Sequence, residues 1–357
     1  MKKLSLLFLV LLTPLWPAVS EDFKIPVLIG QTGASSTFGK VELDGYTLAV
    51  EDWNKRYGGI EGKKVSLAVD DTQTDQAATL SSIHRFASLG YKVILGPTWL
   101  DGVAKGAIPV AKAKKVLLVT PSAESEALPA SENGPITFYY HSRSEVAELL
   151  KFAASNNLKR LTLVYEQEPF AELLKKLLVE MNQGSVEFIN QIGVQAGEAD
   201  FKSIVPRIVK GSPDAFLVFV WDERSLLTLL QTLNLSAKKT PILTVHDGEG
   251  WLVKPEFKQH INHIFYSKFV LKSSEFMARF KERFGYDVLL TGSNAYDALW
   301  SVLLALKSGA KDAESIRGYL VSTELETVTF GKAKLTKSGA FSTSEVAMVE
   351  YKSPSGE

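Results

Sequence analysis

IPVLIGQTGASSTFGKVELDGYTLAVEDWNKRYGG, residues 25–59, joins a short apolar run to a polar loop and then to a long amphipathic segment. The run 25–29 reads as a buried strand, and Gly, Ser and Thr fill the loop after it. In the segment that follows, Leu43, Tyr46, Val50, Trp53 and Tyr57 fall at i, i+3, i+7, i+10 and i+14, which keeps one helical face on a core. Gly58-Gly59 supplies the stop. A strand, a polar loop at its C-terminal end and a helix together form the edge of a ligand site in an open α/β sheet.

The same alternation continues outward from this unit. Residues 64–69 read as a strand ending in the polar loop Asp70-Asp71-Thr72-Gln73-Thr74-Asp75, with a helix over about 76–89. Strand 91–95 ends at Gly96-Pro97-Thr98-Trp99; helix 103–113 leads to strand 115–120 and the loop Pro121-Ser122-Ala123-Glu124-Ser125. The programme restarts with extended 138–140, helix 144–155, strand 160–165, helix 170–181 and strand 186–190. A Pro206-interrupted helix, strand 215–220, helix 223–234 and strands 242–245 and 264–267 follow. Helices near 273–284, 293–308 and 313–322 precede strand-like 326–330 and 346–351. Strands alternating with helices of this length predict βαβ units and parallel sheets. No low-complexity linker divides the two halves, so they read as two lobes with several chain crossovers and a ligand cleft between them.

Composition narrows the function classes. Lys2 and Lys3, the apolar run 4–12 and Ala18-Val19-Ser20 read as a cleavable signal peptide over residues 1–20, with a core too short to span a bilayer. Its removal takes two Lys from 40 basic residues and nothing from 40 acidic ones, so the remaining chain is slightly acidic. Such a balance predicts no nucleic-acid partner and no attraction to anionic lipid. With no Cys, neither a disulfide nor a lipidated cysteine anchor is available, and export without disulfides fits the periplasm. At 45% hydrophobic the chain is long enough for two cores.

Motifs that could carry chemistry fail on inspection. Gly33-Ala-Ser-Ser-Thr-Phe-Gly39-Lys40 has five residues between its glycines, and Val41 stands where a phosphate loop needs Ser or Thr. His260 and His263 have no third ligand at a recognisable spacing and read as surface residues. No G-x-S-x-G elbow and no nucleophilic Cys exist, while Asp70-Asp71 reads as a helix cap or a solvated loop. The expectation is a binding protein, without enzymatic activity, cofactor or metal.

The stretches IGQTGASSTFGKVELDGYTLAVEDWN, VDDTQTD, VILGP, LLVTPSAESEAL, GSNAYDALWSVLLAL and FGKAKLTKSGAF, in this order, resemble the periplasmic Leu/Ile/Val-binding proteins of ABC transporters. That resemblance implies an α/β fold of two doubly wound parallel-sheet lobes joined by three hinge strands, the type I periplasmic binding fold. It implies lobe 1 from 21–138 plus 268–327 and lobe 2 from 139–267 plus 328–357. Crossings fall near 138–141, 265–268 and 327–331. The implied partners are a small-molecule ligand and an inner-membrane permease, or a sensor receptor in its place, with the protein a monomer.

The resemblance also implies site residues. Phe38 matches the aromatic of the first loop, and Leu100, beside Trp99, stands where a Ser normally meets the ligand carboxylate. In the third loop Ser122 and Ala123 keep their positions, whereas Glu124 replaces a Thr. Across the cleft Phe170 and Trp221 replace tyrosines, and Asp247 matches the acid that pairs with the ligand ammonium. A carboxylate set against Glu124 would be repelled. Four aromatic residues and two acids suit an amine, each cation–π contact contributing about 0.5–2 kcal/mol. The expected ligand is thus an amine-bearing metabolite or an amino acid derivative. The plainer readings are a helix N-terminus for Glu124, packing for Trp99, Phe170 and Trp221, and a turn for Asp247.

Overall fold

In the computed structural model the described residues are 21–353 apart from 34, 99, 125–133 and 343, with side chains left aside at 100–105, 253 and 290. The first lobe runs β1 (Phe23–Ile29), α1 (Ser36–Tyr57), β2 (Val65–Asp71), α2 (Gln76–Ser88), β3 (Val93–Leu95), α3 (Leu100–Ala113), β4 (Leu117–Thr120) and β5 (Ile136–Thr137). These strands form one parallel sheet in the order β2-β1-β3-β4-β5. Ile25, Val27 and Ile29 point to one core while Leu28 points to the other, because successive strand residues face opposite sides. Both faces are therefore covered, as a parallel sheet requires.

The second lobe begins with α4 (Ser142–Ser155), β6 (Arg160–Glu166), α5 (Pro169–Met181), β7 (Glu187–Val194) and α6 (Phe201–Ile208). It continues through β8 (Ala215–Phe219), α7 (Glu223–Ser236), β9 (Ile242–Thr244), α8 (Asp247–Val253), α9 (Pro255–Lys258) and β10 (His263–Phe269). Its parallel strands take the order β7-β6-β8-β9-β10, the same winding as the first sheet. Leu161, Leu163, Leu217 and Phe219 face one core, and Val164, Phe216 and Val218 face the other. Each sheet reverses its winding once, between β1 and β3 and between β6 and β8. Ligands bind at such switch points, outside the carboxyl ends of the strands.

The chain then returns to the first lobe with α10 (Ser274–Phe284), α11 (Leu290–Lys307), α12 (Ala313–Ser322) and the hairpin β11 (Leu325–Thr327) and β12 (Gly331–Ala333). Helix α1 packs along α11, and a methyl group on Gly45 would stand 2.1 Å from the Gly292 carbonyl. Only a glycine permits that approach. Finally β13 (Val346–Lys352) adds an antiparallel edge strand beside β10. The chain crosses between the lobes after β5, after β10 and before β13. Assigning 328–341 to the second lobe is corrected here: Leu335 and Phe341 belong to the first core, with Val328, Phe330 and Ala333 packed against it.

Two local readings also change. Residues Asp70 and Asp71 continue β2 instead of forming a loop, and the cap of α2 is Asp75, which accepts from the Ala78 amide at 2.8 Å. The strand expected over 326–330 is the end of β11 followed by a hairpin turn at 328–330, fixed by Asp297, which accepts from the Val328 and Thr329 amides at 2.7 and 2.9 Å. His260 lies 3.4 Å from Gln231 and His263 lies 2.9 Å from Glu350, each engaged within its lobe.

Candidate functional site

The carboxyl ends of β1, β3 and β4 carry the loops of the first wall. Asp71 fastens the loop after β1 by accepting from the Gln31 and Thr32 amides at 3.0 and 3.2 Å. Those bonds hold its carboxyl below the usual range despite the opposing effect of burial. Phe38 sits half-buried in the first turn of α1. Trp99 lies outside the described residues, and Leu100 opens α3 with its side chain likewise left aside. After β4, Ser122, Ala123 and Glu124 are all buried. The Ala123 carbonyl accepts from Thr137 Oγ1 at 2.6 Å.

The second wall stands on the ends of β6, β8 and β9. Glu166 ends β6 and accepts from the Trp221 and Asp222 amides at 2.9 and 2.8 Å, which ties the two strands flanking the switch point. Glu168 caps α5 through the Phe170 and Ala171 amides at 3.0 and 2.6 Å. Burial pushes its carboxyl up, aided by neighbouring Glu166 and Asp247. The Phe170 and Trp221 rings lie 5.3 Å apart at 53°. Both are half-buried and rest on the second core, so packing and exposure are shared by the same rings. Asp247 opens α8, and its Oδ2 is buried with no hydrogen-bond partner.

The first crossing makes the floor. Tyr139 and Tyr140 share a 2.5 Å hydroxyl contact, and the Tyr140 hydroxyl lies 2.6 Å from His246 Nε2. Glu145, fully buried on α4, accepts from the His246 amide at 2.8 Å, stands 3.0 Å from Nδ1, and also accepts from Ser267. Burial alone would lower the His246 imidazole, but Asp247 and Glu145 raise it to about 9, so it is an imidazolium at neutral pH. Burial pushes the Tyr139 phenol well up, and Asp247, Glu145 and Glu124 push it further. Three acids therefore converge on this floor.

Glu124 bridges the lobes: it accepts from the Ser142 amide at 3.2 Å and from the Ser142 hydroxyl. Its carboxylate thus meets the first turn of α4, an anion at a helix N-terminus. Ser142→Ala should lower stability by about 1–3 kcal/mol, the cost of a buried acceptor short of one donor. A fall in the urea midpoint at neutral pH checks this.

Sequence reasoning did not single out Glu42, Glu145, Glu166, Glu168, Tyr139 or Tyr140. For Glu42 a signal existed: 42, 46, 49 and 53 also run at helical spacing, and the structure buries all four. A separate cavity of about 240 Å³ lies at the crossings, lined by Phe269, Lys272, Phe330, Lys332, Lys334 and Glu345 among others. Its cationic rim is opposite in sign to the cleft floor. Among the described residues no His, Cys, Asp and Glu group could hold a metal, and no helix is long and apolar enough to cross a membrane.

Residues 22–356 match the family described as Periplasmic binding protein. The Leu/Ile/Val-binding protein of Escherichia coli (strain K12) is 24% identical over 211 residues, covering 55% of this chain and 54% of that protein. The chain spans about half the length of the curated relatives it matches. The structure is similar to the branched-chain amino acid transporter substrate binding protein LivJ from Streptococcus pneumoniae in complex with isoleucine. The TM-score is 0.77 at 20% identity, over 92% of this chain and 95% of that one. It is also similar to a solute binding protein of an ABC transporter from Rhodopseudomonas palustris BisB5 in complex with 3,4-dihydroxy benzoic acid. There the TM-score is 0.78 at 18% identity, over 94% of both chains. With the match running from β1 through β13 and both sheets wound alike, the chain belongs to the periplasmic binding protein family.

Proposed function

We propose that this protein captures a small cationic solute between its lobes in the periplasm and delivers it to an inner-membrane ABC permease, without chemistry on the ligand. The convergence of Glu124, Glu145 and Asp247 on Tyr139, with His246 bonded to Glu145 and beside Asp247, supports the reading. Buried acids beside a cleft favour a ligand that brings a positive charge. Phe170 and Trp221 offer aromatic faces beside Asp247 and Glu168, an arrangement suited to an ammonium group. In this proposal Phe38, Ser122 and Ala123 form the opposing wall, and Glu124 supplies field across the lobe junction.

The relatives leave the ligand open. The Escherichia coli protein is named for Leu, Ile and Val, while the Rhodopseudomonas structure holds a dihydroxybenzoic acid on the same fold. Native mass spectrometry of the isolated chain, followed by thermal shifts with choline, agmatine, leucine, isoleucine and 3,4-dihydroxybenzoate, tests the proposal. An amine present at about 100 times its Kd should stabilise the protein by about 2.7 kcal/mol. Trp221→Ala should weaken that amine at least tenfold, a loss of about 1.4 kcal/mol. Stabilisation by leucine or isoleucine with no response to either amine would overturn the cationic reading.

A further inference from the structure

We propose that Glu42 is a positioning residue that, through Thr98 and Ser122, clamps the loops leaving β1, β3 and β4 into one ligand-facing wall. The hydrogen bonds form a chain. The Gly30 amide, at the end of β1, donates to Thr98 Oγ1 at 3.2 Å, and Thr98 Oγ1 donates to Glu42 Oε2 at 2.7 Å. The Ser122 hydroxyl also bonds the Glu42 carboxyl. From α11, Asn294 donates to the Pro121 carbonyl at 3.1 Å, which fixes the same loop from the other side. One side chain on α1 thereby ties together the loops that leave three neighbouring strands. Glu166 plays the matching part in the second lobe, where its carboxylate joins the ends of β6 and β8.

Glu42 is fully buried, and its second oxygen, Oε1, has no hydrogen-bond partner among the described residues. Asn294 Oδ1 and the Tyr46 hydroxyl are likewise buried without hydrogen-bond partners among the described residues, on α11 and α1. A buried carboxylate with one unpaired oxygen is costly, whereas a carboxylic acid turns that oxygen into a donor. Burial accordingly pushes the Glu42 carboxyl up to about 7, against the lowering effect of Thr98 and Ser122. Tyr46 is the titratable group coupled to it, its phenol raised by burial and by Glu42. Thr98, Ser122, Thr291 and Asn294, from the packed elements, do not titrate. Local opening that wets Glu42 therefore becomes easier as pH rises through this range, since the closed loops hold the proton more tightly than the open ones.

The assignment stands apart from the choice of ligand, and its test needs none. Amide hydrogen exchange, corrected for intrinsic rates, is compared at pH 6 and pH 8 for the full chain and for E42Q, E42L and T98V. E42L and T98V should lose at least tenfold protection over 30–33, 96–98 and 120–124, with α2 and the second lobe within about twofold. In wild type the protection of these three segments should fall about tenfold from pH 6 to pH 8. E42Q keeps the acceptor for Thr98 and should show no such fall. Should E42L not fold, T98V and E42Q carry the comparison. Unchanged loop protection in T98V, a uniform loss across the first lobe, or the same pH response in wild type and E42Q would each overturn the proposal.

Discussion

Replacing His246 with Ala is expected to destabilise the protein by about 3–5 kcal/mol near pH 6, the cost of removing one partner from a buried ion pair. The imidazolium is the counter-ion of Glu145, which is fully buried, and it also stands 3.7 Å from Asp247. Without it, Glu145 keeps the Ser267 hydroxyl and a backbone amide but no opposing charge. The effect has a pH signature. A base whose pKa rises from 6.5 to about 9 on folding contributes stability that is fully present below pH 6.5 and lost as pH rises through 9. Urea unfolding of wild type and H246A should therefore diverge most near pH 6 and converge toward pH 10. A constant difference across that range would mean that packing, not charge, makes the contribution.

The second large effect is the pH profile of the whole chain. Glu42 and Asp297 are buried acids whose carboxyls rise from 4.5 and 3.8 to about 7. Each contributes stability present below its unfolded pKa and lost as pH rises through about 7, amounting to about 3–4 kcal/mol at most. His246 extends the same slope toward pH 9. At the acid end, the lowered carboxyls of Asp71 and Asp222 act oppositely, and their contribution disappears as pH falls through their folded values. Stability should therefore peak in mildly acidic solution, near pH 5, and decline through neutrality. E42Q should match wild type near pH 4.5 and exceed it by up to about 3 kcal/mol at pH 8, because an amide has no proton to lose. A wild-type melting temperature that is flat from pH 5 to pH 8 would contradict these assignments.

Element types and order were legible because apolar period and turn residues agree along most of the chain. Gly58 does stop α1 in the left-handed conformation, at φ 74°, with its amide donating to the Asn54 carbonyl. Trp53 and Tyr46 are buried as their spacing demands. The third crossing was misplaced because Thr327 and Gly331 look like the end of a strand, whereas Leu335 and Phe341 reach the first core only through a hairpin invisible to local pattern. For the site, strand-end loops were readable from their composition. Among the buried acids only Glu42 carried a local sign, the helical spacing it shares with 46, 49 and 53; nothing local distinguishes Glu145 or Glu166 from the solvated acids around them, and their burial follows from which helices and strands meet. Glu124 illustrates the limit: the substitution is plain in the sequence, but its bond to Ser142 depends on how two lobes are joined.

The late position of β13 and of α10 to α12 has a consequence for assembly. The first core draws Phe280, Leu299, Leu303 and Leu320 from beyond residue 273, and the second sheet receives its edge only at 346–352. A chain emerging from its N-terminus would present both lobes incomplete, each missing apolar cover that arrives last. Neither lobe is contiguous in order of synthesis: the first core is completed only by residues up to Phe341, and the second sheet gains its edge only with β13.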